Sequence, residues 1–163
     1  MLLGFDVFKS GLESINFDNN KIINTINPHS YCLSRYDKLF NEALQSSDIL
    51  LPDGTGIVLA SKIVNSKKIN KIAGADIHQY LLQQANLKSQ KVFYLGAAQS
   101  TLLLIESKVK KEYPNITVSS FSPPFKPQFT KSETAQMLEK IKEFRPDILF
   151  VGMTAPKQEK WVF

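Results

Sequence analysis

Five short, mostly β-branched runs recur along this chain, with longer amphipathic stretches between them. The runs are Lys21–Ile26, Asp48–Leu51, Lys91–Leu95, Ile116–Phe121 and Asp147–Val151. Strands that are apolar throughout and alternate with helices predict a parallel sheet covered on both faces. The fold class is therefore α/β, and its crossovers are expected to be right-handed. Helical spacing predicts helices over 31–46, 55–64 and 74–86, the last with Ile77, Tyr80, Leu81 and Ala85 on one face. A fourth carries Leu102, Ile105 and Val109. A fifth is led by Ser132 and Glu133 and carries Met137, Ile141 and Phe144. Three prolines keep 122–127 in a loop. Pro156 is expected as the first residue of a last helix.

Composition narrows the class without naming a chemistry. At 163 residues, 43% hydrophobic and 21% charged, the chain is sized and balanced for one domain, 1–163. Disordered and collagen-like classes are excluded. No apolar run approaches the roughly 20 residues that span a bilayer. The start, MLLGFDVFKS, has no basic region ahead of its short apolar patch, so no signal peptide is read. Cys32 is the one cysteine and forms no internal disulfide; a buried thiol in a reducing cytoplasm is the expectation. The net charge of +5 comes from eighteen Lys and only two Arg, Arg35 and Arg145. Small clusters lie at Lys67-Lys68-Lys71 and Lys108-Lys110-Lys111. Sequence-specific readers of nucleic acid favour Arg forks with interleaved aromatics, and neither forms a motif here. The Lys either solubilise the surface or meet an anionic partner, a phosphate or an acidic membrane.

In open parallel sheets, ligands bind at the carboxyl ends of the strands. The loops there are Asn27–Ser30, Pro52–Gly56, Gly96–Ser100, Ser122–Pro127 and Gly152–Gln158. Asp53 sits in a Pro-Asp-Gly turn, where an ionised carboxylate can accept a proton from a hydroxyl; a turn or N-cap Asp is the alternative. Thr25 and Asn27 are two apart at a strand end and share a face; they suit a sugar or pyrophosphate, or simply close a turn before Pro28. His29 is either an acid or base or a polar surface group. Gly96-Ala97-Ala98-Gln99-Ser100 is either a degenerate phosphate-binding turn or a plain strand-to-helix turn. Around Pro156, helix amides with Lys157 nearby form an anion site or an ordinary helix start, and Gln158 offers a donor and an acceptor that suit uracil or ribose. No Asp-x-Asp, His-x-x-x-His or Cys-x-x-Cys occurs, so no metal site is supported. A dinucleotide-binding reading of Leu95-Gly96-Ala97 needs an acidic ribose ligand after the next strand, and Ser119–Pro124 supplies none.

Taken together, Thr25-x-Asn27-Pro28, Pro52-Asp53-Gly54-x-Gly56, Gly74-x-Asp76, Leu95-Gly96 and Pro156-Lys157-Gln158-Glu159-x-Trp161 form an ordered set. The set resembles the WecG/TagA/CpsF glycosyltransferase family across about residues 20–163. The resemblance implies a Rossmann-like α/β fold and an inverting, metal-independent enzyme with no cofactor. Such an enzyme moves a hexose, N-acetylmannosamine or its uronic acid among them, from a UDP-sugar to a lipid-linked saccharide. Family products are teichoic acid linkage units, enterobacterial common antigen and exopolysaccharides. It implies Asp53 as catalytic base with Thr25 beside it in the active site. Asn27, Gly54, Lys71, Gly96, Pro156 and Gln158 would bind substrate. The partners implied are the UDP-sugar and the lipid-linked acceptor, with no nucleic acid; a homo-oligomer is compatible. The place implied is cytoplasmic, peripheral to the inner face of the plasma membrane. Two departures stand out. Lys71 replaces a frequent family Arg and loses its bidentate fork. Family members also continue past the Trp161 motif with a strand and a basic segment, so the chain is expected to be C-terminally incomplete. A catalytically incomplete UDP-binding module is the alternative function.

Overall fold

The computed structural model describes residues 1–17, 20–66 and 69–163. Lys67 and Lys68, two of the three residues of the first Lys cluster, lie outside the described residues. Two compact units form, Met1–His78 with Glu159–Phe163, and Gln79–Gln158. Both have parallel strands joined through helices, so the α/β reading holds, with the strands divided between two sheets.

In the first unit, β1 (Ile23–Ile26) pairs in parallel with β2 (Ile49–Pro52), Thr25 level with Leu51 and Ile26 level with Pro52. Val7 bridges Leu50 from the other side, also in parallel. The sheet's core holds Leu2, Phe5, Val7, Ile26, Phe40 and Leu50. Sequence periodicity gave no hint of this N-terminal contribution. The helix expected over 31–46 is two helices, α1 (Pro28–Ser34) and α2 (Lys38–Gln45). Its start also moves forward, into the expected loop, because Asn27 and Ser30 form a capping box around Pro28. The break comes where Asp37 takes an extended backbone and accepts the Phe40 amide, capping α2. Cys32 is exposed, which corrects the buried thiol: its place on α1 faces away from the apolar cluster. Helix α3 (Thr55–Asn65) follows β2, and α4 (Gly74–Leu87) follows a connection whose Ile72 amide bonds the Pro52 carbonyl at 2.9 Å. On α4 the buried side chains are Ile77, Leu82 and Ala85, with Tyr80 and Leu81 only partly covered.

The second unit is a three-stranded parallel sheet in the order β4 (Thr117–Phe121), β3 (Lys91–Gly96), β5 (Ile148–Gly152). Helix α5 (Gln99–Glu112) joins β3 to β4, and α6 (Lys131–Phe144) joins β4 to β5. The two crossovers run in opposite directions along the sheet, so right-handedness puts the helices on opposite faces. Central β3 is buried from Val92 to Gly96 because both of its edges and both of its faces are covered. Helix α7 (Lys157–Val162) starts one residue after Pro156, which sits in the preceding turn on a cis peptide bond. No helix among the described residues is long and apolar enough to cross a membrane.

Candidate active site

In the first unit, the carboxyl ends of β1 and β2 bring together Thr25, Asn27, Asp53 and Gly54. Asp53 follows the last paired residue, and its amide donates to the Ile26 carbonyl at 2.9 Å. The register then sets Asp53 level with Asn27, and the pleat puts Thr25 and Asn27 on the face opposite buried Ile26. Thr25 and Asp53 are partly buried. Among the described residues, neither the Thr25 hydroxyl nor the Asp53 carboxylate has a hydrogen-bond or ion-pair partner. Asn27 is half committed. Its Oδ1 accepts the Ser30 amide at 2.8 Å, while the Ser30 hydroxyl accepts the Asn27 amide at 2.8 Å. Its side-chain NH₂ remains available as a donor.

Gly54 has φ +86 and begins α3 without a side-chain cap. That conformation is the reason for glycine after Asp53. Gly56 is glycine for a different reason: a Cβ there would lie 2.6 Å from Pro28 Cγ. Lys71 is exposed and stands beside Ile72, whose amide is tied to the end of β2. His29 is exposed in the first turn of α1. Asp76 has a structural task, its Oδ2 accepting the Ala73 amide at 2.7 Å to close the start of α4.

The second unit places Gly96, Pro156 and Gln158 at the ends of β3 and β5. Gly96 has φ +109, and a Cβ on it would lie 2.4 Å from the Gly152 carbonyl oxygen. Helix α5 then starts at Ala98, which has no side chain able to cap, and leaves its first-turn amides open. Gln158 turns back, its Oε1 accepting the Met153 amide at 3.1 Å and fixing the loop after β5. Lys157 lies 3.7 Å above the Phe129 ring and donates to the Lys126 carbonyl. Burial pushes its pKa down, partly offset by Glu133, with Lys126 adding to the fall.

Within the second unit, sequence reasoning missed the pairing of Glu133 with Lys126. Glu133 pairs with Lys126 at 2.7 Å and caps Thr130, so its pKa falls to about 2, chiefly through the Lys126 hydrogen bond. The signal was present as Thr130-x-x-Glu133, a capping box one residue ahead of the expected start. Asp37 was missed too. It ion-pairs with Lys160, whose hydrogen bond, followed by the Phe40 amide, lowers its pKa. Among the described residues there is no group of three or more His, Cys, Asp or Glu able to hold a metal.

The chain is similar to the N-acetylglucosaminyldiphosphoundecaprenol N-acetyl-beta-D-mannosaminyltransferase of Bacillus subtilis (strain 168). The two are 33% identical over 141 residues, 86% of this chain and 53% of that protein. The protein of the same name from Bacillus spizizenii is 31% identical over 157 residues, 95% of this chain and 59% of its own. That from Staphylococcus aureus is 31% identical over 144 residues, 88% and 55%. The chain thus spans little more than half the length of these curated relatives. A family-level match extends over residues 6–163, nearly all of it, and the chain belongs to the Glycosyl transferase WecG/TagA/CpsF family.

Proposed function

We propose that the chain carries the transfer chemistry of an inverting, metal-independent glycosyltransferase. The donor is a UDP-sugar, with N-acetylmannosamine, its uronic acid or a related hexose as the group moved. The acceptor is a lipid-linked saccharide, used in teichoic acid or surface polysaccharide synthesis at the inner face of the plasma membrane. The relatives' names, which specify an N-acetylmannosaminyl group and an undecaprenol-linked acceptor, support this reading. The observation that carries it is the Asp53 carboxylate, held at the end of β2 by the Asp53 amide's bond to Ile26 and left without a protein partner among the described residues.

In this reading the acceptor oxygen attacks the anomeric carbon as the bond from that carbon to the diphosphate breaks. The bonding pair leaves with UDP, and Asp53 takes the hydroxyl proton. Thr25 and the Asn27 NH₂ orient hydroxyl groups near Asp53. Gly54 lets the chain turn without a side chain in the way. Lys71 offsets phosphate charge. The open first-turn amides of α5, beyond Gly96, suit an anion. Pro156 and Gln158 are assigned to the nucleotide or sugar.

Asp53→Asn is expected to slow transfer by about a hundredfold or more while UDP affinity stays unchanged. Equal turnover in the two proteins would remove Asp53 as base. Titrating UDP and measuring transfer separately keeps binding and chemistry apart. Transfer should also survive EDTA; its loss, restored by a divalent cation, would overturn metal independence.

A further inference from the structure

In the second unit, residues 122–130 run from the end of β4, at the carboxyl edge of the sheet, to the start of α6. Prolines at 123, 124 and 127 remove three amides, so this segment cannot hold itself through a backbone ladder. Side chains hold it instead. The Ser122 hydroxyl donates to the Ala97 carbonyl at 2.8 Å, and the Lys126 ammonium pairs with Glu133 at 2.7 Å. A further anchor comes from the first residue of α7. Lys157 donates to the Lys126 carbonyl and also lies 3.7 Å above the Phe129 ring. Lys126, Phe129 and Lys157 are half-buried, whereas Phe125, among these anchors, is fully exposed.

We propose that Lys157 is a positioning residue, a latch that holds the 122–130 loop in place for the sugar donor. Its ammonium gives one N–H to the Lys126 carbonyl and sets its charge against the face of the Phe129 ring. Lys157 therefore serves the loop, not the anion expected near Pro156. One side chain grips the segment at two points three residues apart, where a single contact would leave the chain free to swivel. The use of the latch rests on the proposed transfer from a UDP-sugar. Ser122 is tied to Ala97, which stands between Gly96 and the open amides of α5. The loop thus borders the approach to those amides, and holding it keeps that side of the donor site in place.

The test pairs two substitutions of Lys157 in the whole chain. Lys157→Met keeps an apolar stem but loses the charge and the donor; Lys157→Arg keeps a cation for the ring and a donor for the carbonyl. Without UDP, hydrogen exchange at the amides of 125–129 should quicken about tenfold in Lys157→Met and stay within about twofold of wild type in Lys157→Arg. UDP should bind about fivefold more weakly to Lys157→Met, by the same factor at low and high salt, and normally to Lys157→Arg. Circular dichroism confirms that each variant is folded. Should Lys157→Met unfold, Phe129→Leu, which removes only the ring, decides by the same two readouts. Exchange unchanged in Lys157→Met overturns the latch. Faster exchange with UDP affinity unchanged overturns the positioning role. A loss of affinity that disappears at high salt marks a direct phosphate contact and overturns it too. A wild type that binds no UDP, with exchange quickened in Lys157→Met, refutes the proposed function and leaves the latch standing.

Discussion

Gly96 and Gly152 face each other at the ends of β3 and β5, but they are not interchangeable. Any side chain on Gly96 meets the Gly152 carbonyl and must also adopt φ +109, whereas a Cβ on Gly152 has nothing within 4 Å. Gly96→Ala is therefore expected to lower stability by about 2 kcal/mol or more. Gly152→Ala should stay within about 1 kcal/mol, with urea midpoints as the readout. From sequence, Gly96 could be read only as a phosphate turn or a plain turn. The residue that demands glycine there is 56 positions away and visible only once the strands pair. Glu133 allows a second test. Its folded pKa lies below the ordinary 4.5, at about 2. Its contribution is thus complete above the ordinary value and drains away as pH falls toward the folded one. The melting-temperature gap between wild type and Glu133→Gln should be present at neutral pH and vanish near pH 2. A gap that persists there would mean the Lys126 pair is not its source. Asp53 shows the opposite balance. Its turn was legible from Pro-Asp-Gly alone, while its lack of a protein partner needed coordinates.

Two strands begin with the same device. Asp48 Oδ2 accepts the Ile22 amide at 2.7 Å ahead of β2, and Asp147 Oδ2 accepts the Lys91 amide at 2.7 Å ahead of β5. Each carboxylate thus latches an amide at the entrance of the neighbouring strand, Ile22 just ahead of β1 and Lys91 the first of β3, in an Asp-Ile-Leu context in both units. Asp147→Ala should cost about 1–2 kcal/mol and speed hydrogen exchange at the Lys91 amide, with the centre of β3 little changed. Uniform acceleration along β3 would show instead that the whole sheet had loosened. All five strands were legible because β-branched runs bounded by polar turns are local signals. The break between α1 and α2 was not. Helical spacing continues through Arg35–Asp37, and only the cap at Asp37, together with its Lys160 partner, stops the first helix. The N-terminal bridge of Val7 to Leu50 was equally hidden, since a single pairing has no period to detect.

Across the whole molecule, the alternation of apolar strand runs with amphipathic helices identified the α/β class, and strand pairing, which is non-local, divided the strands between two sheets. The candidate residues were legible at the same level. Most of them lie at, or shortly after, the carboxyl ends of strands, where a parallel sheet gathers its ligand-binding groups. What sequence could not supply was which of those polar groups the fold itself consumes. Asp76 and the Asn27 carbonyl group are spent on helix starts, and Gln158 on the loop after β5. The contact between Pro28 and Gly56 carries a mechanical consequence. Pro28 begins α1 directly after Asn27, and Gly56 lies in the first turn of α3, three residues after Asp53. With the proline ring filling the place of a missing Cβ, neither helix start can swing without pushing the other. The contact acts as a mechanical stop that sets how closely the loop bearing the Asn27 amide and the loop bearing the Asp53 carboxylate can approach each other.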